Sequence, residues 1–129
     1  MTSMKKNIVL LILIIFSCNP SDEVTTLSGG WKFVSEGRHD RVIDGGRQSI
    51  PCEIIEYGYS NDFIIATQQP TEDCFLGKDS TIYKEGRDKK YYWLIGHKDN
   101  LFLGPMNEVE FADAKRKYGV PTNLKMKPI

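Results

Sequence analysis

The chain has little of what recognisable chemistry is built on. It carries two histidines and three cysteines in 129 residues, and their positions match no zinc-binding spacing. No HExxH, no glycine-rich phosphate loop and no GxSxG occurs in it, so the signatures of metalloproteases, nucleotide hydrolases and α/β-hydrolases are missing. It has no excess of either charge, 17 basic residues standing against 17 acidic, whereas nucleic-acid binding favours a strongly basic face. It has no internal repeat and no low-complexity tract. Its longest unbroken apolar run, residues 8–16, falls well short of the roughly 20 residues that cross a bilayer as a helix. These absences predict a protein without catalytic residues, metal or cofactor and without a nucleic-acid partner.

What is present begins with that short run. Behind Lys5 and Lys6, it has the dimensions of a secretory signal, whose apolar region spans about 7–15 residues. It ends at Ser17 and Cys18, not at a small-x-small cleavage site. Apolar residues, a small residue and then cysteine resembles the lipobox of bacterial lipoproteins, although Phe16 stands where that pattern carries a small residue. The resemblance implies that residues 1–17 are a signal peptide and that Cys18 receives a diacylglycerol and becomes the acylated first residue. The protein would then sit on the bacterial cell membrane or outer membrane, its domain outside the cytoplasm. Each buried methylene contributes about 0.8 kcal/mol, so two or three acyl chains anchor it permanently. Residues 18–29 are mostly polar and helix-averse, which predicts a flexible tether. Residues 30–129 remain as one small domain.

Without residues 1–17 there are 15 basic and 17 acidic residues, a formal charge of −2. Residues 18–77 hold four basic and ten acidic side chains, and residues 78–129 hold eleven and seven. So mild a split fits solvated surface better than an electrostatic footprint.

The fold class follows from the apolar pattern. Residues 31–36, WKFVSE, alternate as a strand. Residues 37–49 are rich in Gly, Asp and Arg and predict a long loop or weak strand. Residues 53–59 and 63–68 are β-branched and aromatic around Ser60-Asn61-Asp62, a hairpin signal. Residues 91–95 and 101–103 form a second hairpin around His97-Lys98-Asp99-Asn100, and residues 80–84 predict one more strand. A helix is expected at residues 108–118. Asn107 and Glu110 match a capping box, and Met106 with Phe111 matches a hydrophobic staple. Acidic residues fall early and Lys115, Arg116 and Lys117 late, complementing the helix dipole. Phe111, Ala114 and Tyr118 form one apolar stripe, and Gly119 and Pro121 supply the stop. The expected class is α+β: an antiparallel sheet of about five strands with one C-terminal helix packed against it.

The order WKFVSEG, IIEYGYSNDFIIATQQP, YYWLIGHKDNLFLGP and then a helix ending KYGVP resembles a family of short bacterial lipoproteins of unknown function. That resemblance implies a fold and a location and assigns no activity. The YYW…GP segment is also faintly similar to GYF-like modules, whose aromatics grip proline-rich ligands.

Four aromatics on the expected strands, Tyr57, Tyr59, Tyr91 and Trp93, are candidates for a surface that binds a protein or peptide in the envelope. Such a module would be non-catalytic; the alternatives are a small inhibitor of an envelope enzyme, or a hydrolase with an unrecognised site, which would need a polar cleft. His39 and His97 lie beside turn residues and are expected to be exposed and unemployed. Glu53 and Glu56, three apart on a strand, fall on opposite faces and make a poor acid/base pair. With Cys18 committed to lipid, Cys52 and Cys74 remain as an even pair in an exported chain. The hairpin between them would bring the partner of Cys52 to about Gln69, so a disulfide is within reach; two buried free thiols are the alternative.

Overall fold

The computed structural model describes residues 22–37, 40–74 and 77–129. The expectations for the signal peptide, for acylation at Cys18 and for His39 lie outside the described residues. Within them the chain forms eleven strands and one helix.

The first sheet is a four-stranded antiparallel meander of β1 (Glu23–Thr26), β2 (Lys32–Glu36), β3 (Asp40–Asp44) and β4 (Ser49–Ile50), in that order. The β1–β2 turn uses Gly29 and Gly30, both in the left-handed region at φ 63° and 82°, where a side chain would be strained. Trp31 N–H closes it on the Ser28 carbonyl at 3.2 Å. The next segments are β5 (Ile54–Tyr59), β6 (Phe63–Gln68), the short ribbon β7 (Asp73–Cys74) and β8 (Gly77–Lys78), then β9 (Tyr91–Gly96) and β10 (Leu101–Met106). After the helix α1 (Glu108–Lys117) comes β11 (Lys127–Pro128). The second sheet is five-stranded and antiparallel, ordered β10-β9-β6-β5-β11.

Two expectations are corrected here. The predicted single sheet is two, because a second sheet grows from segments that carry little apolar signal. Residues 23–26, expected as part of the tether, pair along their length with β2, and β3 forms within residues 37–49, where a long loop or weak strand was expected. Conversely, residues 80–84 form no strand. Tyr83 there is buried and bonded to side chains, not to a neighbouring strand.

Layering follows from the strand pattern. Phe33, Ile43 and Ile50 of the first sheet meet Ile54, Ile64, Ala66, Trp93 and Ile95 of the second in one core. The opposite face of the second sheet presents Ile65 and Leu94 to Met106, Phe111, Ala114 and Val120 in another. Strand β6 therefore packs on both faces, which explains why FIIA is a continuous apolar run and not an alternation. A bulge between Ile54 and Glu56 shifts the β5–β6 register by one. The turn itself is centred a residue later than expected, Tyr59 pairing with Ile64, and the bulge recovers only part of that offset, so Glu53, not Cys52, faces Gln69, their backbones exchanging hydrogen bonds of 3.0 and 2.9 Å.

The helix ends one residue before the expected Tyr118, which takes the C-cap position. Its capping box is complete. Asn107 Oδ1 accepts from Glu110 N–H at 2.9 Å, and Glu110 Oε1 accepts from Asn107 N–H at 3.0 Å. Phe111 stacks on Tyr92 with ring centroids 5.0 Å apart, holding the helix on the sheet.

Candidate functional site

The four candidate aromatics divide into two pairs. Tyr91 and Trp93 are 2 % and 3 % exposed, so they are core and form no surface. They sit two apart on β9 and so share one face of a strand covered on both sides. The Trp93 indole N–H donates to Gln68 Oε1 at 2.6 Å. The Tyr91 hydroxyl donates to the Gly86 carbonyl at 2.7 Å and accepts from Glu85 N–H at 2.9 Å. Tyr57 and Tyr59, in contrast, are half-buried and exposed and line one groove.

That groove opens where an edge of each sheet comes to the same rim. Strand β1 is the edge of the first sheet and β11 the edge of the second. Between them Phe33 stacks on Tyr57 at 4.8 Å, and Tyr59, Pro128 and Ile129 complete an apolar floor and wall with Glu23, Lys125 and Lys127 among its lining. The space holds about 510 Å³, within the usual range of ligand clefts. Lys127 pairs with Tyr57 across the β5–β11 ladder. Burial raises the Tyr57 hydroxyl above its ordinary pKa, with Glu23 and Tyr59 adding to the effect against a hydrogen bond from Thr25. The phenol is therefore neutral at physiological pH, able both to donate and to accept.

His97 is employed, contrary to expectation. It is half-buried just after β9, its ring nitrogen Nε2 is 2.8 Å from Ser28 Oγ, and its backbone N–H donates to the Asp62 carbonyl at 3.0 Å. Burial lowers its pKa, against the pull of Asp62, so the ring is neutral. A serine beside a neutral histidine has the elements of a nucleophile and base. The adjoining cavity is only about 130 Å³, small for a substrate, and a side chain on Gly29 would strike the imidazole. The contact ties the β1–β2 turn of the first sheet to the second.

A buried polar chain that sequence reasoning missed lies below the β6–β9 pair. Gln68, fully buried, donates through Nε2 to the Tyr83 hydroxyl at 2.9 Å, and that hydroxyl donates to Asp79 Oδ2 at 2.5 Å. Arg87 lies 3.5 Å from the same carboxylate oxygen and 5.0 Å from the Tyr83 ring centroid. Burial and the Asp79 carboxylate push the Tyr83 hydroxyl up to about 12. Burial alone would raise Asp79, but bonds from Thr81 and Tyr83 outweigh it and hold the carboxyl below its ordinary value. The only sequence signal was a polar residue, Gln68, at the end of an apolar strand.

Cys52 and Cys74 are joined by a disulfide, their Cα atoms 5.8 Å apart. Beside it Glu53 is buried and 3.5 Å from Arg41 of β3, while Glu56 accepts from the Thr67 hydroxyl at 2.9 Å. The two carboxylates are thus engaged separately. Among the described residues no group of three or more His, Cys, Asp or Glu side chains could hold a metal ion, and no helix is long and apolar enough to cross a membrane.

These features define a small domain of two antiparallel sheets and one covering helix, with an open groove at its rim. The chain belongs to the family described as a protein of unknown function, DUF3997, whose model matches residues 27–129. No curated protein and no solved structure matches it.

Proposed function

We propose that the chain is a bacterial envelope lipoprotein, anchored through Cys18, whose domain is a non-catalytic binding module. Its site is the groove lined by Tyr57 and Tyr59, and its ligand is an extended apolar peptide segment of an envelope protein. One observation carries the reading: the groove presents two tyrosines and an isoleucine, with Tyr59 and Ile129 each about half exposed, at 45 % and 49 %. Rigid aromatics offer large contact area at low entropic cost. The outer strand β1 lies along the same rim, and an extended ligand can pair with such an edge while its side chains enter the groove. The lining charges Glu23, Lys125 and Lys127 suit a polar rim around an apolar centre.

The location is supported by Lys5, Lys6, the short apolar run and Cys18. Four residues separate Cys18 from Glu23, so an anchored domain would stand within about 18 Å of the lipid. Mass spectrometry of the mature N-terminus tests the anchor: a diacylglycerol on Cys18 is expected, and an unmodified Cys18 or a different cleavage site overturns it. Selection of displayed random peptides on the immobilised full chain tests the site. Extended apolar sequences should emerge, and Tyr59→Ala should weaken them by about tenfold, the loss of one well-packed aromatic contact. Selected peptides indifferent to both Tyr57→Ala and Tyr59→Ala would refute the groove.

A further inference from the structure

Between the last turn of α1 and the segment that follows it lies a hollow of about 450 Å³, within the usual range of ligand clefts. Its apolar lining is Ile65 of β6 with Val120, Leu124 and Met126. Its charged lining is Lys115, Arg116 and Lys125, and no carboxylate is among the lining residues. The chain as a whole is neutral, yet residues 114–129 carry five basic side chains and no acidic one. Cations in a last helical turn ordinarily answer the helix dipole. Here the carbonyls of Ala114, Lys115 and Arg116 already accept from the backbone N–H groups of Tyr118, Val120 and Gly119, at 3.0, 2.9 and 3.3 Å. Lys125 is not on the helix at all, so the dipole does not account for it. Arg116 bonds Asp113, both exposed, but a guanidinium has five donors and one carboxylate does not exhaust them.

We propose that this hollow binds a single-chain amphiphile with an anionic head, a carboxylate or a phosphate, its apolar chain lying on Ile65, Val120, Leu124 and Met126. The site is distinct from the groove at the rim, with which it shares only Lys125, and it stands whether or not the groove binds a peptide. Three cations without a lining acid select a negative head. The backbone of the walls argues against a peptide guest: the N–H groups of Tyr118, Gly119, Val120 and Leu124 are all bonded inside the wall, so guest amides would be desolvated without these partners, and an acyl chain has none to desolvate. The walls are also built in advance. A side chain on Gly58 would strike the Lys125 carbonyl where it crosses β5. Met126 Sδ lies 3.4 Å from Thr67 Oγ1 of β6, and Lys127 and Pro128 pair with β5 directly after. Little ordering is therefore left for the protein when a ligand enters.

The test uses the full chain in phosphatidylcholine nanodiscs and a decanoate that carries a terminal diazirine. Irradiation should place adducts within residues 112–126. Unlabelled decanoate should displace the probe at a concentration at least about tenfold below that of hexanoate, since four methylenes are removed from water, and acetate should not displace it. Decyl phosphate run beside decanoate names the head, by whichever displaces at the lower concentration. Lys115→Gln with Arg116→Gln should raise the half-saturating probe concentration about tenfold, the loss of two partly exposed charge contacts. Lys115→Arg with Arg116→Lys, which keeps both charges, should stay within about twofold. Lys125→Gln leaves the helix untouched and should weaken labelling about threefold, which separates a lost head contact from a weakened helix. Adducts outside residues 112–126, displacement by neither decanoate nor decyl phosphate, equal displacement by acetate, or glutamine variants that label like the native chain overturn the proposal.

Discussion

Replacing Gln68 by Leu would remove the centre of the buried polar chain while nearly conserving volume. Gln68 is fully buried; its Oε1 accepts from Trp93 at 2.6 Å, and its Nε2 donates to Tyr83 at 2.9 Å and more weakly to the Cys52 carbonyl at 3.4 Å. Leucine leaves the Trp93 N–H without an acceptor and the Cys52 carbonyl without this donor, in surroundings that water does not reach. The Tyr83 hydroxyl still donates to Asp79, so its loss is smaller. A stranded buried group costs about 1–3 kcal/mol, partly offset by the better transfer of leucine, so the net destabilisation is about 2–4 kcal/mol. For a domain of this size that lowers Tm by on the order of 10–20 °C. Urea unfolding followed by circular dichroism and by tryptophan fluorescence measures it. A thermodynamic cycle sharpens the test: Trp93→Phe should cost at least about 1 kcal/mol less in the Gln68→Leu background than in the native one, because the orphaned N–H disappears with the indole. A Gln68→Leu protein as stable as the native chain, or additive single effects, would refute the reasoning.

Three further outcomes are expected. Asn107→Ala removes the side-chain half of the capping box and should cost about 1 kcal/mol, read as a lower unfolding midpoint at unchanged m. Denatured, unreduced protein should show no reactive thiol at Cys52 or Cys74, and reducing the bridge should lower stability by roughly 3 kcal/mol in the chain-entropy description; two reactive thiols at these positions would contradict the bond. Burial pushes the Glu53 carboxyl up from its ordinary 4.5 to about 7, against the pull of Arg41 and with Asp40 adding to the rise. A folded pKa above the unfolded one means that this contribution is fully present below about pH 4.5 and lost as pH rises through about 7. The stability of Glu53→Gln should therefore fall less than that of the native chain between pH 5 and about 8, as measured by unfolding midpoints across that range.

The elements that were legible in the sequence are those whose signal is local. The helix announces itself through Asn107, Glu110 and the Phe111 stripe, all within a few residues of one another. The hairpins of the second sheet show as β-branched runs around polar turns, because their strands pack on both faces. The first sheet was hidden for the opposite reason. Three of the four residues of β1, EVTT, are exposed, so the strand is held by backbone pairing that leaves almost no apolar trace. Strand β3 buries only Val42 and Ile43 among charged neighbours. Ser80 to Lys84 carries a strand's composition, yet Tyr83 is satisfied by Gln68 and Asp79, long-range partners that periodicity does not encode. The site divides in the same way. Alternation could say that Tyr91 and Trp93 share a face, but only the second covering layer decides that the face is buried. Tyr57 and Tyr59 lie on the strand next to β11, at the rim.

The double-sided packing of β6 has a consequence for how the molecule opens. Ile64 and Ala66 belong to one core and Ile65 to the other, so neither core can loosen without disturbing the strand that serves both. The helix layer is then not a part that peels away while the sandwich stands, and unfolding should be a single cooperative event. Amide exchange would report this as a gradient. Protons of β1 and β11 should be released through local fraying, whereas those of β6 and β9 should leave only when the whole domain unfolds, and should be the last to exchange.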